Sequence, residues 1–306
     1  MLIVDAGNSR LALAIAAKLS LKCIKPGFKE FACGEYAVSI EQNLTGESLL
    51  VIGAADRQVD ENYMKLLLLL DALKNKGAVS IILFLPYISY SRQDRATLDN
   101  DATSARVIAN LLNSSPINQL VTLDIHSKQT ASYFTKNLYN ISAFDLFGEL
   151  VRGLGDCVII APDKGAGARA QIFAAELGLD IALIDKQRIG NKVSSVLIKG
   201  EVLGKKCVII DDIIDSGNTV KEAALLLRNN GVISLSAFIT HGLFSENIPE
   251  DLQSLGLDEL WITDSIVHNL LPNGVKKLDA TAVIAHKIMP ACSADIENFV
   301  VLSKIS

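Results

Sequence analysis

Two adjacent acids followed by a run of small residues form the strongest chemical signal in the sequence. Asp211 and Asp212 end an apolar run that begins at Val208. The loop residues that follow and could contact a ligand are Asp215, Ser216, Gly217, Asn218 and Thr219. Small residues let backbone N–H groups close around a phosphate at the positive end of a helix, and paired carboxylates can accept hydrogen bonds from vicinal sugar hydroxyls. The stretch therefore predicts a sugar-phosphate site, although a strand-to-helix turn capped by Ser or Thr would use similar residues.

A pair of cations two positions apart is the second candidate group. Lys186 and Arg188 follow the apolar residues 181–184. Side chains at positions i and i+2 of an extended segment point to one side, so both cations can stabilise charge on the same phosphates. A solvated basic turn would have the same sequence, and neither interpretation is favoured when this segment is taken alone.

His126 is the best candidate for a metal ligand among the four histidines. It follows the apolar residues 120–123 and has Asp124 beside it, whereas His268 and His286 fit structural or surface positions. His241 follows another apolar run but has no assigned role.

These groups stand after Val- and Ile-rich runs that alternate with helical segments. We predict strands at 49–52, 80–86, 157–161, 181–184 and 207–210, and helices at 62–76, 170–177 and 219–230. This alternation is typical of an α/β fold in which largely parallel sheets are covered by helices on both faces. Ligands of such folds bind beyond the carboxyl ends of the strands, where the candidate groups stand. We expect two similar lobes, 1–147 and 148–306, that meet near 144–155.

Composition narrows the class of protein. Half of the 306 residues are hydrophobic and 21% are charged, which is enough for large apolar cores. A formal net charge of -5 argues against a broad nucleic-acid surface. The leucine block 66–70 is too short to span a bilayer, and Asp5 and Asn8 interrupt the place of a secretory signal. We therefore expect a cytoplasmic protein without a membrane partner.

The cysteines are scattered and odd in number, which fits no closed disulfide framework. They are Cys23, Cys33, Cys157, Cys207 and Cys292. We expect all five to be reduced thiols.

The segment 211–219 resembles the ribose-5-phosphate loop of the type I phosphoribosyltransferase fold. Four further stretches resemble motifs of the ribose-phosphate pyrophosphokinase family, in the family's order. Residues 31–35 resemble its adenine-binding F-x-[DN]-G-E, and 90–95 resemble its ATP-contacting Y-x-R-Q-D. Residues 124–129 resemble D-[LM]-H-x-x-Q, and 162–165 resemble a P-D-x-G loop. The resemblance covers nearly the whole chain and implies two phosphoribosyltransferase-type lobes.

The resemblance implies an enzyme that transfers the β,γ-diphosphoryl group of Mg-ATP to the 1-hydroxyl of ribose 5-phosphate. The products would be 5-phosphoribosyl 1-diphosphate and AMP, for nucleotide biosynthesis. It implies Mg²⁺ as cofactor, bound by His126 and Asp163, and catalysis by Lys186 and Arg188. It implies ATP contacts from Phe31, Cys33, Gly34, Glu35, Arg92, Gln93 and Asp94. It implies ribose-5-phosphate contacts from Arg188, Asp211, Asp212, Asp215, Ser216, Gly217, Asn218 and Thr219. It also implies a homo-oligomer whose adenine site is shared between subunits.

Three departures from the family pattern affect the expected function. Cys33 stands where the family has Asp or Asn, and because a thiol is a weak hydrogen-bonding group, nucleotide affinity or selectivity is expected to differ. Asn218 replaces a glycine of the phosphate loop, and Asn tolerates left-handed backbone. Residues 96–105 are acidic where phosphate-regulated members have a basic segment, which predicts weak control by phosphate or ADP.

Two other functions fit part of the sequence. A phosphoribosyltransferase would need only the 211–219 loop. A catalytically silent regulatory homologue, which would bind nucleotide and assemble with an active partner, is favoured only by Cys33. The intact residues that count against it are Lys186, Arg188, His126, Asp163 and Asp211.

Overall fold

This computed structural model describes residues 1–54, 57–96, 101–189, 192–245 and 251–293, with the side chains of all of these except 186–189, 192–195 and 289–293. The first half contains β1 (Leu2–Ala6), α1 (Ser9–Leu19), β2 (Cys23–Ile24), β3 (Gly27–Glu30), β4 (Tyr36–Ser39), β5 (Ser48–Gly53), α2 (Val59–Asn75), β6 (Ser80–Phe84), α3 (Ser104–Ser114), β7 (Gln119–Leu123), α4 (Lys128–Ser132) and β8 (Asn137–Ile141). The second half contains α5 (Phe144–Gly153), β9 (Val158–Ala161), α6 (Gly167–Leu177), β10 (Asp180–Ile189), β11 (Lys192–Lys199), β12 (Lys206–Ile214), α7 (Asn218–Asn229), β13 (Ser234–Gly242), a 3₁₀ turn (Gln253–Leu255), β14 (Glu259–Thr263), β15 (Val275–Leu278) and α8 (Thr281–Ser293).

The first compact unit is built on a parallel sheet with the strand order β2-β1-β5-β6-β7-β8. Its central strands β5 and β6 are apolar and buried because helices cover both faces of a parallel sheet. The apolar stripe of α2 includes Tyr63, Leu66, Leu70 and Leu73, which recur at helical spacing and face this core. The leucine block is thus part of a buried helix, as its flanking charges predict.

The strands β3 and β4 form a separate antiparallel hairpin in this first unit. The turn between them carries residues 31–35 and is closed by hydrogen bonds from the Phe31 N–H to the Glu35 carbonyl and from the Gly34 N–H to the Phe31 carbonyl. Gly34 has a φ of 85°, a conformation that glycine adopts without steric cost.

The second compact unit is built on a sheet with the order β11-β10-β9-β12-β13-β14-β15. All neighbouring strands are parallel except β10 and β11, which form an antiparallel hairpin. The strands β9, β12 and β13 are buried almost throughout. Both units are therefore α/β, and the predicted fold class is confirmed.

The division between the units falls at Ser142 and Ala143, and the helix Thr281–Ser293 belongs to the first unit. The lobes expected from the sequence, 1–147 and 148–306, differ from this division at two points. The whole of α5 packs in the second unit, where the rings of Phe147 and Phe238 are 5.5 Å apart. The last helix, α8, packs against α1 of the first unit.

Two expectations from composition can be compared with the described residues. No helix in the described ranges combines the length and the apolar character that crossing a bilayer requires. The four cysteines whose side chains are described, Cys23, Cys33, Cys157 and Cys207, are free thiols, as predicted. Burial raises the pKa of the Cys207 thiol to about 11, so this thiol stays protonated and serves as packing.

Candidate functional site

Three neighbouring strands bring most of the candidate groups of the second unit to one sheet edge. The strand β9 pairs in parallel with both β10 and β12. Asp163 lies in the loop after β9, Lys186 lies within β10, and Asp211 lies within β12. Because the carboxyl ends of parallel strands meet at one edge, the structure places these three segments side by side.

The two acids of β12 share one arginine. Arg169, in the first turn of α6, places its Nη1 2.8 Å from Asp212 Oδ1 and 3.5 Å from Asp211 Oδ1. Asp212 is buried, and Asp211 is half-buried. Burial and the neighbouring Asp212 carboxylate raise the pKa of Asp211 well above its usual value, although Arg169 partly offsets them. The carboxylate oxygens at this strand edge can therefore accept hydrogen bonds from a ligand. Keeping Asp211 charged there destabilises the protein without ligand.

Both acids lie inside a strand, whereas the sequence predicts a strand that ends at Ile210. The strand β12 continues to Ile214 because its pairing with β13 runs on to Gly242. The predicted strand was too short because carboxylates are uncommon inside strands. Pairing with the neighbouring strand β13 makes the additional residues, up to Ile214, favourable as strand.

The small-residue loop after β12 opens α7 without a side-chain cap. The N-cap position is Gly217, with a φ of 79°, and the described residues form no side-chain capping hydrogen bond there. Capping by Ser216 or Thr219, the alternative to a phosphate site, is therefore not the arrangement observed. Asn218 is the first helical residue, and the left-handed backbone falls on Gly217, so Asn218 needs no left-handed conformation. Asp215, just before this turn, accepts a hydrogen bond from the Ser245 N–H at 3.3 Å.

The loop after β9 is held by its own aspartate. Asp163 Oδ1 accepts a hydrogen bond from the Ala166 N–H at 3.0 Å. The next residue, Lys164, places its Nζ 3.0 Å from Asp185 Oδ1, and Lys199 Nζ lies 2.9 Å from Asp185 Oδ2. The two lysines hold the pKa of the buried Asp185 below its usual value, with Lys199 contributing most. Asp185 therefore joins three segments immediately before Lys186.

Lys186 and Arg188 lie in the hairpin of β10 and β11. The backbone register shifts between Gln187 and Arg188, which is a bulge in the strand. Ideal strand alternation does not apply across a bulge. The side chains of Lys186 and Arg188 lie outside the described residues, so their shared orientation stays a prediction.

Two adjacent strands of the first unit carry the other candidate loops. Arg92, Gln93 and Asp94 follow β6, and His126 follows β7, which pairs with β6 in parallel. Arg92 and Gln93 are exposed, and Asp94 and His126 are half-buried. The structure thus brings these two loops to the same edge of the first sheet. Part of the acidic segment 96–105, residues 97–100, lies outside the described residues.

The β3–β4 turn presents Phe31, Cys33, Gly34 and Glu35 to solvent. Phe31 is 42% exposed, and Lys29 Nζ lies 5.2 Å from its ring centroid. The hairpin is fixed to α2 next to this turn: the Tyr36 hydroxyl donates a hydrogen bond to Glu61 Oε1 at 2.9 Å. The acceptor carboxylate raises the pKa of Tyr36. The turn therefore exposes apolar and polar side chains to solvent, while the adjacent strand is fixed to α2.

The sequence assigned no role to three residues that organise the second unit. They are Lys164, Arg169 and Asp185. Arg169 is one helical turn beyond the P-D-K-G loop, and Asp185 directly precedes Lys186, so proximity to a motif was the available signal. Their partners could not be inferred from spacing, because each partner comes from another strand.

The residues present fit a magnesium ion that is bound together with a phosphate substrate. Mg²⁺ sites commonly use one or two carboxylates and the substrate's phosphates. In the described part of the chain, Asp163 Oδ2 accepts no hydrogen bond, and no group of three or more His, Cys, Asp or Glu side chains is arranged to hold a metal ion. A Cβ at position 165 would lie 3.1 Å from Asp163 Oδ1, so Gly165 keeps the approach to this carboxylate open.

Comparisons with known proteins identify the family of this chain. Residues 1–115 match the family model of the N-terminal domain of ribose phosphate pyrophosphokinase, and residues 187–294 match that of the phosphoribosyl synthetase-associated domain. The chain is 34% identical to the ribose-phosphate pyrophosphokinase of Thermotoga maritima, over 94% of this chain and 93% of the relative. It is 35% identical to that of Campylobacter jejuni, over 92% of each chain. The phosphoribosylpyrophosphate synthetase of Mycobacterium smegmatis superposes with a TM-score of 0.87 at 27% identity, covering 95% of this chain and 98% of that one. The chain therefore belongs to the ribose-phosphate pyrophosphokinase family.

Proposed function

We propose that this chain transfers the β,γ-diphosphoryl group of ATP to the 1-hydroxyl of ribose 5-phosphate, giving 5-phosphoribosyl 1-diphosphate and AMP. This is the activity of the family to which the chain belongs. The observation that carries its assignment to particular residues is the uncapped turn at Gly217 beside the acid pair of β12. A phosphate and a pair of sugar hydroxyls need these two features at one strand edge.

Ribose 5-phosphate binds at the 211–219 loop in this proposal. The N–H groups at the start of α7 and the hydroxyls of Ser216 and Thr219 hold the 5-phosphate. Asp211 and Asp212 accept hydrogen bonds from the sugar hydroxyls. Arg169, which contacts both carboxylates, balances part of their negative charge. Since the backbone donors are already oriented by the helix, sugar binding needs no nucleotide.

The diphosphoryl transfer itself depends on alignment and on neutralised charge. Lys186 and Arg188 stabilise the charge on the transferring phosphates, and Arg188 also contacts ribose 5-phosphate. Arg92 and Gln93 bind the nucleotide phosphates, with Phe31, Cys33, Gly34 and Glu35 at the adenine. Asp163 and His126 are the residues that would hold Mg²⁺, and the ion would supply positive charge to the phosphates.

We further propose a homo-oligomer in which the turn at 31–35 completes a neighbouring subunit's adenine site. The exposure of Phe31 and the hydrogen bond that fixes Tyr36 support a turn built to contact something outside its own unit. Sedimentation of the wild type, compared with a Phe31→Ala variant whose secondary structure is intact, tests this. A monomeric wild type with full activity excludes it.

The decisive experiment is a substrate-dependence assay on the purified chain. AMP formation that requires ATP, ribose 5-phosphate and Mg²⁺ together supports the proposal. Diphosphate release from phosphoribosyl diphosphate and a purine or pyrimidine base would instead make the chain a phosphoribosyltransferase. Nucleotide binding without either reaction would make it a catalytically silent homologue.

A further inference from the structure

Hydrogen bonds join the two loops of the first unit that the proposed function assigns to Mg-ATP. One loop follows β6 and carries Arg92, and the other follows β7 and carries His126. The bonds involve residues 33 to 39 positions apart in the chain, so they are tertiary contacts.

Asp94 is the central acceptor of this connection. Ser127 Oγ donates to Asp94 Oδ2 at 2.6 Å, and the Tyr133 hydroxyl donates to the Asp94 carbonyl at 2.8 Å. The side chain of Asp94 is 17% exposed. One carboxylate oxygen and the main-chain carbonyl of Asp94 are thus committed to the neighbouring loop and helix.

The helix α4 completes the connection through its own side chains. Thr130, fully buried, donates from Oγ1 to the Ser91 carbonyl at 3.0 Å. Gln129 Nε2 donates to the Tyr133 hydroxyl at 2.9 Å. Ser127 Oγ donates its only proton to Asp94. Its lone pairs can still accept a hydrogen bond, and the Thr130 N–H donates to it at 3.0 Å, which caps α4. Each hydroxyl therefore has a distinct donor role.

Both loops begin with a residue in a left-handed conformation that non-glycine side chains rarely adopt. Tyr90 has a φ of 64° and Asp124 a φ of 39°. The Tyr90 hydroxyl donates to Asp60 Oδ1 at 2.6 Å, and the Asp124 N–H donates to the Ile141 carbonyl at 2.8 Å. Such conformations persist only where surrounding contacts fix them, and they occur preferentially at functional sites.

We propose that Asp94, Ser127, Thr130 and Tyr133 form a brace, and that this brace sets the distance between Arg92 and His126 before Mg-ATP binds. Asp94 is then a positioning residue, although the family motif groups it with the ATP contacts. The proposal rests on the proposed function, since Mg-ATP is the ligand. Fixing two ligand-binding loops in advance removes the entropic cost of ordering them when the ligand arrives. Ser127, Thr130 and Tyr133 act in this way through Asp94 and Ser91, without touching the nucleotide.

Binding of Mg-ATP and of ribose 5-phosphate to the whole chain, each measured by calorimetry, tests the brace. The variants are Ser127→Ala, Tyr133→Phe and Ser127→Thr, with Ser132→Ala as the matched control. Ser132 lies on the same helix, but among the residues that the structure describes its hydroxyl bonds only to the Gln129 carbonyl of that helix. Hydrogen exchange of the 89–95 amides in the free protein reports on the loop directly.

Ser127→Ala and Tyr133→Phe should each weaken Mg-ATP binding about fivefold to tenfold, because each removes a hydroxyl that donates to Asp94 and accepts one further hydrogen bond. Exchange at 89–95 should accelerate, ribose-5-phosphate binding should stay within about twofold, and Ser127→Thr should keep most of the affinity. Wild-type Mg-ATP affinity in both variants, or equal weakening of both substrates, would overturn the brace. If Ser127→Ala does not fold, Tyr133→Phe, which keeps the ring, decides. A wild type that does not turn over ATP and ribose 5-phosphate would refute the proposed function, whereas unchanged affinity in active variants refutes the brace alone.

Discussion

Arg169 Nη1 lies 2.8 Å from Asp212 Oδ1, and the two residues are 43 positions apart in the chain. The side chains are 16% and 5% exposed, so this ion pair is largely removed from water. Removing one partner of such a pair leaves the other charge buried and uncompensated.

Arg169→Met should therefore lower the free energy of unfolding by about 3 kcal/mol. Adding Asp212→Asn to this variant should restore part of that loss, because the unpaired carboxylate is then gone. Denaturant unfolding of the wild type, the single and the double variant measures both effects. Equal stability of Arg169→Met and the wild type would show that solvent compensates Asp212.

Asp211→Asn should have opposite effects on stability and on ligand binding. Since the folded pKa of Asp211 is raised, the folded state binds a proton more tightly than the unfolded state, and stability falls as the pH rises from the unfolded pKa through the folded one. Asn has no such charge, so the variant should be more stable than the wild type at pH 7 and lose this advantage below about pH 3.9, the ordinary pKa of Asp. Ribose-5-phosphate binding should weaken by about 1.5 to 3 kcal/mol.

Melting curves at pH 7 and pH 4 with calorimetric titrations measure both. Asp180→Asn, at a carboxylate that is 76% exposed, is the control. A less stable Asp211→Asn variant with normal ribose-5-phosphate affinity would contradict both the burial argument and the sugar role.

Two glycines with similar backbone conformation separate strain from ligand contact. Gly217 has a φ of 79° and Gly204 a φ of 69°, so alanine should cost about 1 to 2 kcal/mol of stability at either position. A Cβ at Gly204 meets nothing within 4 Å. Only Gly217→Ala, at the start of α7, should also weaken ribose-5-phosphate binding, and Gly217→Val should weaken it further because a branched side chain crowds the turn. Titration of the variants decides, and equal affinity in all would place the phosphate elsewhere.

Lys186→Ala should raise the activation free energy of the transfer by about 2 to 4 kcal/mol, and so lower kcat, while ATP affinity stays within a few-fold of the wild type. The reason is that the lysine stabilises charge that develops during transfer. Lys205→Ala is the control, because Lys205 pairs with the exposed Asp180 at 3.1 Å. Initial rates and nucleotide binding measure the two quantities. Near-normal turnover of Lys186→Ala would remove this residue from the mechanism.

Asp185 should matter for catalysis through its two lysines. Asp185→Asn is expected to lower kcat about tenfold, since it releases both Lys164 and Lys199 from the base of the hairpin that carries Lys186. The lysine heads are exposed, so the stability change should stay below about 1 kcal/mol. The Lys164→Met/Lys199→Met variant should have the same kcat as Asp185→Asn. Adding Asp185→Asn to this double variant should not lower kcat further. Independent, multiplying effects in this cycle would show that Asp185 acts by another route.

The sequence alone was enough to predict the α/β fold and the positions of the candidate loops. Runs such as 49–52 and 207–210 are long and apolar enough to require burial on both faces of a sheet. In helices such as α2, the buried side chains recur every three or four residues, which marks the buried face in the sequence. Ligands are expected beyond the carboxyl ends of strands in this fold class, and the family motifs point to the same places, so the candidate loops carrying Asp163, His126 and Gly217 could be proposed without coordinates.

Only the tertiary structure decided how these loops are held. The contacts of Arg169 with Asp212, of Lys164 with Asp185 and of Ser127 with Asp94 depend on which strands are neighbours, and the strand orders β10-β9-β12 and β6-β7 are not encoded in local periodicity. The extension of β12 to Ile214 and the packing of α8 in the first unit have the same cause. Hydrogen bonds and ion pairs act over a few ångströms in space, and sequence spacing does not specify that distance between segments far apart in the chain.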